Sequence, residues 1–268
     1  MSLAQRLWRA HSIRTKLLAL ALLPLFAVLP VSIAVLVYFG GNSYDRLLNV
    51  KVQSDLAVAH SYFERVKEVL GRGLEALANS AQLERNYIRH GQGDGAGLAQ
   101  LLVHAQRDLG LDFLLLYDAG GQLVASSSMR APRALLDWKV TREARSGKAA
   151  TAIDIFSAEQ LAQFDTALAE RALTPFIVTE NATPTARAAE SRGMVIHAAA
   201  PLRDANGAVR AVVVGGSLLN KNLGFVDGLN EIVYPEGALP FGSQGTATLF
   251  LDDVRVATNV RLFEGARA

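Results

Sequence analysis

The chain has 268 residues, half of them hydrophobic, with a net charge of +2 and no cysteine. The absence of cysteine excludes disulfides, thiolate metal sites and cysteine nucleophiles, so any exported domain must hold itself together through an apolar core. Four basic residues, Arg6, Arg9, Arg14 and Lys16, lie in the first sixteen positions. The rest is therefore slightly acidic, which argues against a nucleic-acid or other polyanion partner.

Residues 17–41 read LLALALLPLFAVLPVSIAVLVYFGG and carry no charged side chain. A helix needs about 20 apolar residues to cross a bilayer core of about 30 Å. Pro24 and Pro30 are compatible with this, since neighbouring groups re-satisfy freed carbonyls in a membrane helix. Basic residues precede the run and no acid occurs before Asp45. The positive-inside rule then keeps residues 1–16 in the cytoplasm, places a transmembrane helix at 17–39 in the membrane lipid, and sends the rest outward. A cleaved signal peptide is the rival reading. Its apolar region would be shorter and would end in a small-residue cleavage site, which this run lacks.

From Ser43 to about Ile88 the chain reads as one long exported helix. Leu56, Phe63, Leu70 and Leu77 fall seven apart, the spacing of a left-handed helix seam and hence of a dimer interface between two copies. The competing reading is that this stripe packs on the domain's own sheet. His90 to Gly97 is a glycine-rich loop, and Leu98 to Leu109 reads as a shorter helix.

Asp112 to Tyr117 is an apolar strand, Asp118-Ala119-Gly120-Gly121 a turn and Gln122 to Ser126 a return strand. A polar excursion runs from Ala131 to Ala150. Thr151 to Phe156 reads as a strand and Ala158 to Arg171 as a helix. Pro175, Pro184 and the run TENATPTARAAESRG mark an exposed connection. Met194 to Ala200 and Ala208 to Gly216 are strands joined by Asp204-Ala205-Asn206-Gly207, and Leu218 to Val233 has helical spacing. Gly215-Gly216 reads as a bend. At Thr248 to Thr258 a strand, an acidic turn and a return strand ending Ala-Thr echo the first hairpin about 135 residues on. Either two copies of one module are present, the second cut short at Ala268, or two ordinary hairpins happen to look alike.

Four segments, RTKLLALALLPL, SDLAVAHSYFERV, PLRDANGAVRAVVVGGSLLNKN and GTATLFLDDVRVATNVRLFEG, resemble the double Cache sensors of proteobacterial signalling proteins. The resemblance covers nearly all of the chain. It implies an α+β fold: an N-terminal transmembrane helix, a long exported helix and a PAS-like antiparallel-sheet module over 40–238. The truncated start of a second module would occupy 239–268. It also implies the periplasmic ligand-sensing part of an inner-membrane signal-transduction protein, a histidine kinase, chemoreceptor or cyclase, working as a homodimer. The Arg-x-Trp-Tyr signature of amino-acid-binding Cache sensors is missing, which disfavours amino acids as ligands. An anchored extracytoplasmic enzyme and a structural dimerisation subunit are the alternatives.

No Walker A, Gly-x-Ser-x-Gly or His-Glu-x-x-His motif occurs, so no catalytic residue is assigned. The five histidines lack metal-ligand spacing, and no metal or cofactor is expected. Asn181-Ala182-Thr183 matches a glycosylation sequon only weakly.

In a PAS-like fold the ligand lies on the sheet beneath the excursion. That excursion holds Arg130, Arg133, Lys139, Arg142, Arg145 and Lys148 against only Asp137 and Glu143. Guanidinium groups make paired charge-assisted bonds to carboxylates, so a small organic anion is the expected ligand. Arg130, Ser127, Tyr117 and His197 are the candidate contacts. The plainer readings are a solvated cationic surface and, for His197, a satisfied core histidine on the face of Val195 and Ala199.

Overall fold

The computed structural model describes residues 13–93, 95–176, 187–239 and 245–260. The chain forms two compact units, Met1–Ala57 and Val58–Ala268. Helix α1, Ile13–Ala78, begins in the first and ends in the second, and continues through Pro24 and Pro30. In the first unit, Leu17, Leu18, Leu20, Phe26, Leu29 and Ile33 are exposed. Among the described residues no helix is long and apolar enough to cross a membrane. The expected span at 17–39 lies within α1, but several of its side chains, those at 19, 21, 23 and 25 among them, fall outside the described residues.

The long helix ends earlier than its periodicity suggests. Asn79 and Ser80 interrupt it, and α2, Ala81–Gly91, starts anew with the Ser80 hydroxyl accepting from Leu83 N–H. A serine that satisfies an orphan N–H and bonds Leu77 O makes the break favourable. Helix α3, Ala96–Asp108, follows.

The central sheet is antiparallel, with order β2-β1-β7-β6-β3. Its strands are β1 (Phe113–Asp118), β2 (Leu123–Ser126), β3 (Ala150–Phe156), β6 (Gly193–Arg203) and β7 (Val209–Leu218). This is the PAS-like sheet expected. Short pairs β4 (Thr174–Pro175) with β5 (Ala189–Glu190), and β8 (Thr248–Leu251) with β9 (Val254–Thr258), stand beside it. Tight turns fix the hairpins. Asp204 Oδ1 accepts from the N–H groups of Asn206 and Ala208, with Gly207 at φ 83°.

Both faces of the sheet are covered, so its inner strands read as continuous apolar runs instead of alternating ones. One face carries Leu114, Leu116, Ile196, Ala198 and Val213, packed under Leu70 and Leu74 of α1, Leu98 and Leu102 of α3, and helix α7 (Leu223–Val233). Leu249, Leu251, Val254 and Val256 of the last hairpin belong to this same core. The other face carries Phe113, Leu115, Tyr117, Val195, Ala199 and Val214. It lies under the excursion, which contains α4 (Lys139–Arg145), and under α5 (Ala158–Phe164) and α6 (Thr166–Ala172). The single helix expected at 158–171 is two helices, because Asp165 is extended and caps the second by accepting from Ala167 N–H.

Gly215 and Gly216 lie inside β7 and form no bend. A Cβ on Gly216 would lie 2.6 Å from Phe113 Cζ and 2.8 Å from His197 Cβ; one on Gly215 would lie 2.9 Å from Leu111 Cδ1 and 3.3 Å from Leu74 Cδ1. The pair lets large side chains from both layers cross the strand closely.

Candidate ligand-binding site

The excursion closes over the second face of the sheet as a lid. Thr141 accepts from Trp138 N–H and donates to Leu136 O, which starts α4. The apolar side of the lid, Leu135, Leu136, Trp138, Val140 and Ala144, points inward. Trp138 stacks on Phe156 at 4.6 Å between ring centres, and Phe164 stacks on Phe113 at 4.2 Å. This aromatic cluster occupies the place beneath the excursion.

Two candidates meet the lid from the sheet. Tyr117 is buried, and its hydroxyl donates to Pro132 O at 3.0 Å, tying β1 to the start of the lid. Burial pushes its phenol well above the usual range. His197 is fully buried, and its ring sits edge-on to Trp138 and Phe156. Its Nε2 is 2.7 Å from Asp154 Oδ2, whereas Nδ1 has no hydrogen-bond partner. Burial lowers the imidazole pKa, with Asp154 opposing that shift. A protonated ring would place charge in an aromatic enclosure, at a cost that one half-exposed carboxylate only partly offsets.

The other two candidates are held differently. Ser127 Oγ accepts from Leu114 N–H at 3.0 Å, and Ser127 N–H donates to Leu114 O, so the residue extends the β1–β2 ladder. Arg130 is exposed at the entrance of the lid. The six cations of the excursion all lie on its outer side, where Arg142 pairs with Asp137 at 3.0 Å. Tyr117 and His197 thus meet the lid from the sheet, Ser127 is bonded to β1, and Arg130 is exposed.

The heptad stripe is engaged within its own chain. Leu70 is buried in the core, Phe63 and Leu77 pack against it, and Leu56 is 68% exposed. Phe63 also meets Phe225 of α7 edge-on at 5.1 Å. The stripe thus meets its own sheet at Leu70, while Phe63 and Leu77 are partly buried and Leu56 is exposed.

Sequence reasoning missed Asp154, Trp138 and Phe156. The signals were a lone acid in the strand ATAIDIF and a tryptophan in a polar excursion. It also missed the hub at Asp112, whose carboxylate accepts from Arg171 Nη1 and Nη2, Ser217 Oγ at 3.1 Å and Leu218 N–H at 2.7 Å. This hub ties α6 to the end of β7. Among the described residues no cluster of acids and histidines could hold a metal ion.

No family model matches the chain, and no curated protein matches it. Solved structures do. The periplasmic domain of Vibrio cholerae LuxQ is 13% identical, with a TM-score of 0.47, over 80% of this chain and 81% of that one. The Escherichia coli DcuS sensor domain is 13% identical with a TM-score of 0.39, over 59% and 91%. The V. cholerae histidine kinase DctB sensor domain is 16% identical with a TM-score of 0.44, over 65% and 57%. These likenesses concern the fold alone.

Proposed function

We propose that this chain is the membrane-anchored, extracytoplasmic sensing part of a signal-transduction protein, with 17–39 in the bilayer and the PAS-like module outside. The supporting observation is α1 itself. Its front carries an uncharged run with exposed apolar side chains, before which every charged residue is basic, and its end is buried against the sheet. Exposed apolar side chains along such a run are accounted for by a membrane or a partner. One helix then joins the anchor to the module, and such a helix transmits small shifts between discrete packings.

The sensed solute in this reading is a small organic anion entering at the lid, with Arg130 as the first contact and Ser127, Tyr117 and His197 behind it. Tyr117 and Ser127 are already bonded within the chain, so binding must exchange those bonds and move the lid, which is what a sensor requires. A homodimer remains part of the proposal, with Leu56 the one stripe residue left exposed.

The test is a thermal-shift screen of small carboxylates on the full chain, repeated with Arg130→Ala. A binder raises the transition in proportion to the logarithm of its concentration over Kd. Loss of one charge-assisted contact should weaken binding about ten- to a hundredfold. If only neutral or cationic compounds shift the transition, the anion assignment is wrong. If an anion shifts it equally in Arg130→Ala, the site is elsewhere.

A further inference from the structure

A cavity of about 770 Å³ lies away from the lid, between α2 and α3. Its walls carry Arg85, Asn86 and Arg89 from α2, and Gln100, His104 and Asp108 from α3. Leu77, Leu101 and Ala105 supply apolar lining. The volume falls within the range of small-molecule sites.

Arg85 and Arg89 are four residues apart, so they stand on one helix face about 6 Å apart along the axis. Both are exposed, and among the described residues neither has an ion-pair partner. Like charges at this spacing repel each other. Among the described residues Asp108 is the sole acid on the cavity wall. The two helices approach closely at Gly97, where a Cβ would lie 2.8 Å from Asn86 Oδ1.

We propose that this groove binds a small multivalent oxyanion, a carboxylate or phosphate compound with at least two negative groups. The two guanidinium forks would hold the negative groups, relieving their mutual repulsion. Gln100 and His104 face them with further polar groups, and the apolar lining suits a short hydrocarbon backbone. This site is separate from the lid, and its failure leaves the sensing proposal standing.

The test uses the full chain in detergent, with citrate and pyrophosphate as probes and acetate as the monovalent control, at constant ionic strength. Exposed charges are screened by salt, so unequal ionic strength would mimic binding. Citrate or pyrophosphate should raise the transition in the wild type and equally in Arg130→Ala. Arg85→Gln with Arg89→Gln should weaken that binding at least about tenfold, and Arg65→Gln, elsewhere on α1, should leave it unchanged. Far-UV circular dichroism and the probe-free transition report whether the double variant folds. If it does not, Gln100→Ala with His104→Gln on the opposite wall replaces it, with a loss of about threefold or more expected. The proposal is overturned if neither probe shifts the wild type, or if acetate matches them in Arg130→Ala. It is equally overturned if the folded groove variant retains full binding, or if Arg65→Gln loses as much.

Discussion

Replacing Glu190 by glutamine tests the joint between the first module and the last hairpin. Glu190 is only 3% exposed, yet it is charged. Its carboxylate accepts from Arg187 Nη1 at 3.1 Å, Ser191 N–H at 3.0 Å, Arg192 N–H at 2.9 Å, and Arg192 Nε and Nη2 at 2.9 and 2.8 Å. Arg192 Nη2 also reaches Asp252 Oδ2, 2.7 Å away in the β8–β9 turn. The bonds from Arg192 foremost hold the Glu190 carboxyl down at about 2, from an ordinary 4.5. A displacement of that size corresponds to about 3.4 kcal/mol at 1.36 kcal/mol per pH unit. The arginine side chains are 39% and 48% exposed, and solvent screens them. A net contribution of about 1.5–2 kcal/mol follows. The folded pKa lies below the unfolded one, so this stability is fully present above about pH 4.5 and is lost as pH falls through about 2. Glu190→Gln should therefore lower the transition at pH 7 by roughly 3–8 °C, at 2–4 °C per kcal/mol for a domain of this size. The gap between variant and wild type should narrow below about pH 4.5 and close as pH falls through about 2. Urea denaturation across that pH range is the assay. An equal transition at pH 7, or a gap that persists undiminished in acid, would refute the reasoning.

Other consequences are equally specific. The lowered pKa of His197 means that the unfolded chain binds a proton there more readily, so stability should fall as pH drops below about 6.5; His197→Gln should remove that component from a pH series of denaturation curves. Gly216→Ala should destabilise the domain by about 1–3 kcal/mol in urea, because the new methyl would lie 2.8 Å from Ile196 O, which cannot move aside. A single cysteine at Leu70 should give no disulfide dimer on oxidation, since that side chain is buried in its own core. A dimer through Leu70→Cys would return the stripe to a seam between subunits.

The strands were legible because their turns carry strong local chemistry. Asp204 to Gly207 and Asp118 to Gly121 each place an aspartate before a glycine at positive φ, and both hairpins formed where expected. Helix ends were harder to read. Ser80 and Asp165 cut two expected helices because one capping side chain outweighs a run of good helix formers. The seven-residue spacing at Phe63 and Leu70 is the same whether a helix meets a second copy or its own sheet, so the pattern alone could not assign the face. At the lid, alternation on β6 put His197 on the correct face. It could not reveal Asp154, which reaches His197 from β3 across a strand pairing fixed only by the fold. The positive charge of the excursion was visible, but not that its cations would all turn outward while Trp138 turned in.

The most direct test of the account is the side of the membrane on which the module lies. With no native cysteine, single cysteines at Gln5 and Asn206 can be labelled in intact cells, made permeable only at the outer membrane, with a membrane-impermeant maleimide. The account predicts that the chain sediments with the membrane, that the position-206 cysteine in the β6–β7 turn is labelled before lysis, and that the position-5 cysteine is labelled only after it. A chain found in the soluble fraction, or a position-206 cysteine that stays unlabelled until lysis, would contradict it.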